Sequence, residues 1–189
     1  MMKWIGNRIS FKDEKSRLTI VILPEKLNWF KPLMLAWLMM WYVVGAAVVW
    51  SYFSMKLTQQ ELIIIMIFAA FWIYYAQRVT RSYLWMVWGK ELIKIDEASL
   101  SVKRSIKGYG KAKQFLVENI KNIKLDVPES HSFMSAWEAA PWMKGNERIS
   151  FEYLGKVIRF GAKLNEKDAK LLFNLVTKKI EDRLKKTKN

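Results

Sequence analysis

Arg78, Arg81, Trp85 and Trp88 follow one another at spacings of 3, 4 and 3 residues. On a helix those spacings put all four side chains on one face. Two guanidinium groups beside two indoles have the chemistry to hold an anionic phosphate, bidentately, at headgroup depth. The same four residues would also serve as plain interfacial anchors. A second basic set, Lys103, Arg104, Lys107, Lys111 and Lys113, surrounds the Gly108–Gly110 turn of KGYGK. Near an anionic leaflet each such residue contributes about 1 kcal/mol, enough to orient a domain without selecting a headgroup. Away from a leaflet the set is a solvated face.

A third group lies in residues 127–145, VPESHSFMSAWEAAPWMKG, within an aromatic insertion spanning 128–147. Phe133, Met134, Trp137, Trp142 and Met143 have the composition of an interface, and long loops inside compact domains are usually functional or interfacial. Three uses are open: docking a membrane-protein partner, covering one end of a barrel, or dipping into lipid. His131 stands beside Ser130 and close to Glu129. Neighbours in one loop do not make a catalytic triad, and no nucleophile elbow, P-loop or dinucleotide fingerprint accompanies them. The chain has no cysteine and a single histidine, which excludes disulfides, thiolate metal sites, iron–sulfur clusters and multi-histidine ligand sets. No cofactor and no specific small-molecule substrate are expected.

These groups need elements to hold them, and the hydropathy pattern supplies two kinds. The mean hydropathy of −0.03 averages two unlike materials. Residues 33–55 and 62–76 carry no charge, so the 32 Lys and Arg and the 17 Asp and Glu crowd into the remainder of the 189 residues. A soluble domain spreads its apolar residues at helix or strand spacing, and a chain of this size could not wrap two such helices in its core. Leu33–Met55, as a helix rising about 1.5 Å per residue, covers a hydrocarbon core of about 30 Å. Leu62–Ala76 is too short alone but reaches across if its helix continues to about residue 85, with Arg78 and Arg81 snorkelling. The connection 56–61 (KLTQQE) is short, so the helices form an antiparallel hairpin. Counting outward from it sets Ala46 and Ala47 opposite Ala69 and Ala70, next to Gly45. Small residues at one depth let membrane helices approach closely, either each other or a partner subunit.

Lys and Arg number seven in residues 1–32, one in the turn and twenty-four in 78–189. The positive-inside rule then puts both termini in the cytoplasm and the turn outside. No cleaved signal peptide is expected, because no small-residue cleavage pattern follows the first apolar run. The same bias accounts for much of the +15 net charge. Nucleic acid is not an expected partner, since no recognition helix, zinc-finger spacing or RNA-binding aromatic motif accompanies the lysines.

After Gly89 the pattern turns to alternation. Strands are predicted at Glu91–Asp96, Ser99–Ile106 (Leu100, Val102 and Arg104 on one face), Gln114–Val117, Glu118–Val127, Arg148–Leu154 and Lys156–Phe160, the last two flanking Gly155 as a hairpin. Asn165 caps a helix over 166–186 whose stripe is Ala169, Leu172, Phe173, Val176 and Ile180. Arg8–Lys12 and Arg17–Leu23 read as two further short strands, stopped by Pro24. Their natural partner is the later sheet; the alternative is a segment lying on the membrane surface.

Five or six strands followed by one C-terminal helix is the order of a pleckstrin-homology-like barrel. Trp88–Glu91 leading into ELIKID, then SLSVKRSI, FLVENIKNI and ISFEYLGKVIRFG, with ILPEKLNWFKP ahead of the first apolar helix, resemble the bacterial pleckstrin-homology-like domains that follow a two-helix membrane hairpin. The layout is also similar to that of the photosystem I assembly factor of cyanobacteria and chloroplasts, although no motif here supports a photosynthetic role. The resemblance implies a membrane α+β protein: a two-helix transmembrane hairpin (33–88), then a pleckstrin-homology-like antiparallel β-barrel or sandwich with one C-terminal helix (89–189), which the N-terminal segment (1–32) joins. Eukaryotic pleckstrin-homology domains hold phosphoinositides at a basic turn between early strands, the place of Lys107, Lys111 and Lys113 here. The function expected is that of a non-catalytic accessory or assembly subunit of a larger cytoplasmic-membrane complex, facing the anionic inner leaflet. Its partner would be another membrane protein or a second copy. The alternative is a stand-alone anionic-lipid sensor or lipid-handling module.

Overall fold

A computed structural model describes residues 2–14, 16–25, 29–126 and 147–188. The chain divides into two compact units, 26–87 and the remainder formed by 1–25 with 88–189.

In the larger unit the alternating segments become antiparallel strands. One sheet runs in sequence order through β1 (Lys3–Ile5), β2 (Ile9–Asp13), β3 (Leu18–Ile22), β4 (Gly89–Ile95), β5 (Ser99–Ile106) and β6 (Ala112–Leu116). A three-stranded sheet holds β7 (Ile120–Leu125), β8 (Glu147–Tyr153) and β9 (Lys156–Ala162). Helix α3 (Glu166–Lys188) follows. Strand β3 pairs with β4, Leu18 opposite Ile95 and Ile20 opposite Ile93. The N-terminal segment therefore lies in the same sheet as the strands after the apolar helices, and residues 26–87 are inserted between two neighbouring strands. Strand β1, which the pattern did not announce, adds an edge to β2.

Both sheets and α3 feed one core. Ile9, Leu18, Ile20, Ile93, Ile95, Leu100, Ile149, Phe160 and Leu172 are fully buried in it, each contributing about 1.5–3 kcal/mol of transfer free energy. Phe115 of the first sheet meets Phe151 of the second edge-on at 5.3 Å. Helix α3 starts where Asn165 Oδ1 accepts the Asp168 backbone N–H at 2.7 Å, a side-chain N-cap. Its buried stripe is Ala169, Leu172, Val176 and Ile180, with Phe173 partly buried.

A closed barrel is not formed. The ladder stops at Leu116, where Val117–Asn119 makes a 3-10 turn instead of the predicted strand start at Glu118. Strand β7 begins at Ile120 and is itself interrupted: Asn122 has φ +48° and the β7–β8 register shifts between Lys121 and Lys124. The sequence carries one trace of that break: Ile120, before Asn122, is out of step with Ile123 and Leu125 after it.

Glu14, beyond β2, accepts hydrogen bonds from Lys12 and Arg17, both at 2.6 Å, and they pull its carboxyl down to about 2. A depressed carboxyl stabilises the folded state above the ordinary carboxylate range and loses that contribution as pH falls toward its folded value. Titration of the Glu14 carboxyl by NMR is expected to give a midpoint near 2; an ordinary midpoint would dissolve the cluster.

In the smaller unit α1 spans Phe30–Ser54 and α2 spans Gln59–Trp88, longer than the predicted 33–55 and 62–85. At the start of α1, Pro32 falls in the first turn, where its missing N–H costs nothing. At the start of α2, Thr58 Oγ1 accepts the Glu61 N–H at 3.4 Å while Glu61 Oε2 accepts the Thr58 N–H at 2.8 Å. This reciprocal capping box begins the helix three residues earlier than the charge count suggested. Both helices are long and apolar enough to cross a membrane, and little of either apolar stretch is buried. Leu33, Val43, Val49, Phe53, Ile64, Ile67, Phe71 and Ile73 are all exposed. A core helix of a soluble domain hides such residues; these two do not.

Candidate functional site

The KGYGK turn owes its shape to two glycines. Lys107 and Gly108 take φ +49° and +92°, both left-handed, and Ile106 and Tyr109 exchange backbone hydrogen bonds at 2.9 and 3.0 Å. This is the two-residue hairpin loop whose twist suits its strands. Gly110 has φ +143°, and a Cβ there would sit 2.1 Å from the Arg104 carbonyl oxygen, so the strand can pass close to its neighbour only without a side chain.

The result is a hairpin end rich in cations and rings. Between Glu97 and Glu118 the chain carries Lys103, Arg104, Lys107, Lys111 and Lys113 and no acidic residue. Lys107 Nζ sits 4.0 Å above the centroid of the Trp88 ring, a cation–π contact. Lys103 Nζ donates to the Gly108 carbonyl at 3.0 Å, pinning a second lysine to the loop. Lys111 and Lys113 are exposed. Tyr109 is 84% exposed and Trp88 40%, so two large rings stand in solvent among the lysines. Rings of this kind favour a water–apolar boundary.

Arg104 does not belong to that surface. It stands opposite Glu91 across β4–β5, its Nε donating to Glu91 Oε1 at 3.3 Å and its Nη2 to Glu147 Oε1 at 2.7 Å. Burial works to lower the guanidinium pKa, but Glu91 and Glu147 outweigh it and raise it. Glu91 is 1% exposed, and its Oε2 also accepts the backbone N–H groups of Gly161 at 2.9 Å and Ala162 at 3.2 Å. Gly161 has φ +77°, which lets two successive N–H groups converge on one carboxylate oxygen, a small anion-binding nest. Glu91 thus ties β4 of one sheet to β9 of the other. Its signal was present: 91 shares the parity of Ile93 and Ile95, and 104 that of Leu100 and Val102.

The quartet 78, 81, 85, 88 is divided between the units. Arg78, Arg81 and Trp85 lie on α2 in the smaller unit, while Trp88 belongs to the larger one and meets Lys107. Arg78 Nη1 donates to Tyr74 Oη at 3.0 Å, and Arg81 is exposed.

Among the small residues, only Gly45 makes the close approach. It is buried, and a Cβ there would lie 1.9 Å from Trp72 Cζ2. Ala46, Ala47 and Ala70 are exposed and Ala69 half-buried. The close approach at Gly45 is made by an indole filling the glycine notch. Phe133, Met134, Trp137, Trp142, Met143 and His131 lie outside the described residues. Among the described residues no group of three His, Cys, Asp or Glu is placed to hold a metal ion. Neither a protein-family model nor a curated protein matches the chain.

Proposed function

We propose that this is a non-catalytic membrane-anchored protein that holds a pleckstrin-homology-like β-domain against the anionic inner leaflet of the cytoplasmic membrane. The observation that carries this reading is the contact between Lys107 and Trp88. Trp88 is the last residue of α2, and Gly89 begins β4 with no linker between them. The KGYGK loop is thereby tied to the residue at which the chain leaves α2. On this reading Trp88, at the end of a membrane-crossing helix, meets the headgroups, and the lysines that share its loop contact serve the anionic leaflet. Two sheets followed by one C-terminal helix support the pleckstrin-homology-like order, and the Lys and Arg bias supports cytoplasmic termini.

The chain has no cysteine, so single thiols report without background. Thr58→Cys is expected to react with an impermeant maleimide from outside intact cells, and Lys186→Cys only after lysis; the reverse pattern would overturn the orientation. A spin label on Tyr109→Cys is expected at headgroup depth in bilayers containing phosphatidylglycerol. Replacing Lys107, Lys111 and Lys113 by Gln should weaken that seating by up to about 3 kcal/mol, or about 100-fold. A label equally wet in anionic and zwitterionic bilayers would sink the leaflet contact. The accessory-subunit role is read from the aromatic residues of 128–147. It predicts a stoichiometric partner in mild detergent, lost on Trp137→Ala with Trp142→Ala; a chain that purifies alone and is unaffected would favour the lipid-sensing alternative.

A further inference from the structure

We infer that the two apolar helices carry a site for one anionic phospholipid, in a groove between α1 and α2 whose one cationic group is Arg81. The inference rests on the membrane reading above and adds a ligand to it. The groove measures about 450 Å³, within the range of about 300–1,000 Å³ usual for small-molecule sites. Ala76, 5% exposed, lies among its lining residues. Trp72 forms a fixed wall, because its Nε1 donates to the Trp41 carbonyl at 3.0 Å and its ring stands edge-on to Tyr42 at 6.0 Å.

The groove is apolar at one end and gathers its polar groups around Thr80 and Arg81. Two adjacent rows of α2 line it, Trp72–Ala76–Thr80–Leu84 and Ile73–Gln77–Arg81, each four residues apart and so stacked one turn above the next. Both rows begin apolar, at Trp72 and Ile73, and reach polar residues at Thr80 and Arg81, with Leu84 one turn further on. Thr80 Oγ1 and Tyr42 Oη share a hydrogen bond of 2.7 Å beside those polar groups. Rows that turn from apolar to cationic over about 12 Å match a molecule with a hydrocarbon chain and an anionic head. Arg81 is the one charged residue lining the groove, and no acidic residue occurs between Glu61 and Glu91 to neutralise it. Its planar fork suits a phosphate. Arg78, one turn away, donates to Tyr74 and is not among the lining residues, so the two arginines separate in role. An open groove suits such an occupant, since the bilayer covers the side that the protein leaves bare.

The test uses the full chain, delipidated in detergent and offered equal phosphatidylglycerol and phosphatidylcholine of identical chains, read by native mass spectrometry. One phosphatidylglycerol is expected to persist after the others are stripped, preferred about tenfold, the size of one added charge-assisted hydrogen bond. Arg81→Gln should abolish the preference and Arg78→Gln should keep it. Equal retention of both lipids, no retained lipid, or equal losses in the two variants would overturn the site. Failure of the underlying reading looks different: release of the chain from membranes by alkaline carbonate would overturn insertion and the groove together, whereas firm insertion without a selective adduct would overturn the groove alone.

Discussion

Glu91→Ala is expected to be the most destabilising single change in the β-domain, at about 2–4 kcal/mol, from a total that for a domain of this size is about 5–15 kcal/mol. The substitution strands three donors at once: the Gly161 and Ala162 N–H groups and the Nε of Arg104. Each buried donor left unsatisfied costs about 1–3 kcal/mol. Arg104 recovers part of its loss, since its side chain is 40% exposed and keeps Glu147. The backbone N–H groups have no such recourse. Buried ion pairs can often be exchanged for apolar residues at little cost, and here that exchange should fail. Glu91→Leu with Arg104→Met removes both charges yet leaves Gly161 and Ala162 unpaired, so it is expected to stay well below the parent in urea unfolding. Glu91→Gln, which keeps a carbonyl oxygen for the nest, should cost less than Glu91→Ala. Amide exchange at Gly161 and Ala162 reads the mechanism directly: protection should fall selectively there in Glu91→Ala. A Leu/Met double variant as stable as the parent would show that the carboxylate is not what joins β4 to β9.

The same residue shows what a sequence discloses and what it hides. Parity is local, so Ile93, Ile95, Leu100 and Val102 announce their buried face, and that face is where they are. Parity also places Glu91 and Arg104 on it, opposite one another. What it cannot supply is the third party. Gly161 lies 70 residues from Glu91, and only the packing of one sheet on the other brings them together. Strand breaks are hidden for a related reason. The 3-10 turn at Val117–Asn119 and the positive φ of Asn122 each shift the apolar parity by one residue, from Val117 to Ile120 and from Ile120 to Ile123. That signal is too short to separate from ordinary alternation, and the strands come apart into two sheets.

The helices divide similarly. Charge-free runs announced two long apolar helices, because charge is costly in hydrocarbon whatever the neighbours are. Their ends were set by features the runs do not contain: the Thr58–Glu61 capping box at one end of α2, and at the other Gly89, which begins β4 and is buried there. The T-x-x-E pattern was readable, but a count of charges passes over it. For the basic turn, sequence located the lysines and glycines; it could not show that the loop closes onto Trp88, since the 18 residues between Trp88 and Lys107 form the β4–β5 hairpin that folds back.

Gly45→Val should have the largest effect on the helical unit, and its partner residue makes the reason testable. An added Cβ falls 1.9 Å from Cζ2 and 2.3 Å from Cε2 of Trp72, inside any tolerable contact. The indole cannot swing aside cheaply, because its N–H is bonded to the Trp41 carbonyl and its ring is seated against Tyr42. Overpacking of this kind costs about 1–3 kcal/mol for one methyl, the expectation for Gly45→Ala, and valine should exceed it. Between apolar helices in lipid no hydrophobic term offsets the clash, since association there rests on packing and hydrogen bonds. Trp72→Leu alone should also weaken the hairpin by emptying the notch. The combination of Gly45→Ala with Trp72→Leu should be less damaging than the sum of its parts, with a coupling of about 0.5–3 kcal/mol, read from reversible unfolding of the full chain in mixed detergent micelles. Strict additivity would mean that the two residues do not meet. If Gly45 instead served a neighbouring subunit, Gly45→Ala would change the oligomeric state in detergent and leave Trp72→Leu uncoupled to it. The distinction bears on Arg81 as well: Trp72 walls the groove proposed to hold a lipid, so a variant that displaces the indole should lower phosphatidylglycerol retention even with Arg81 intact.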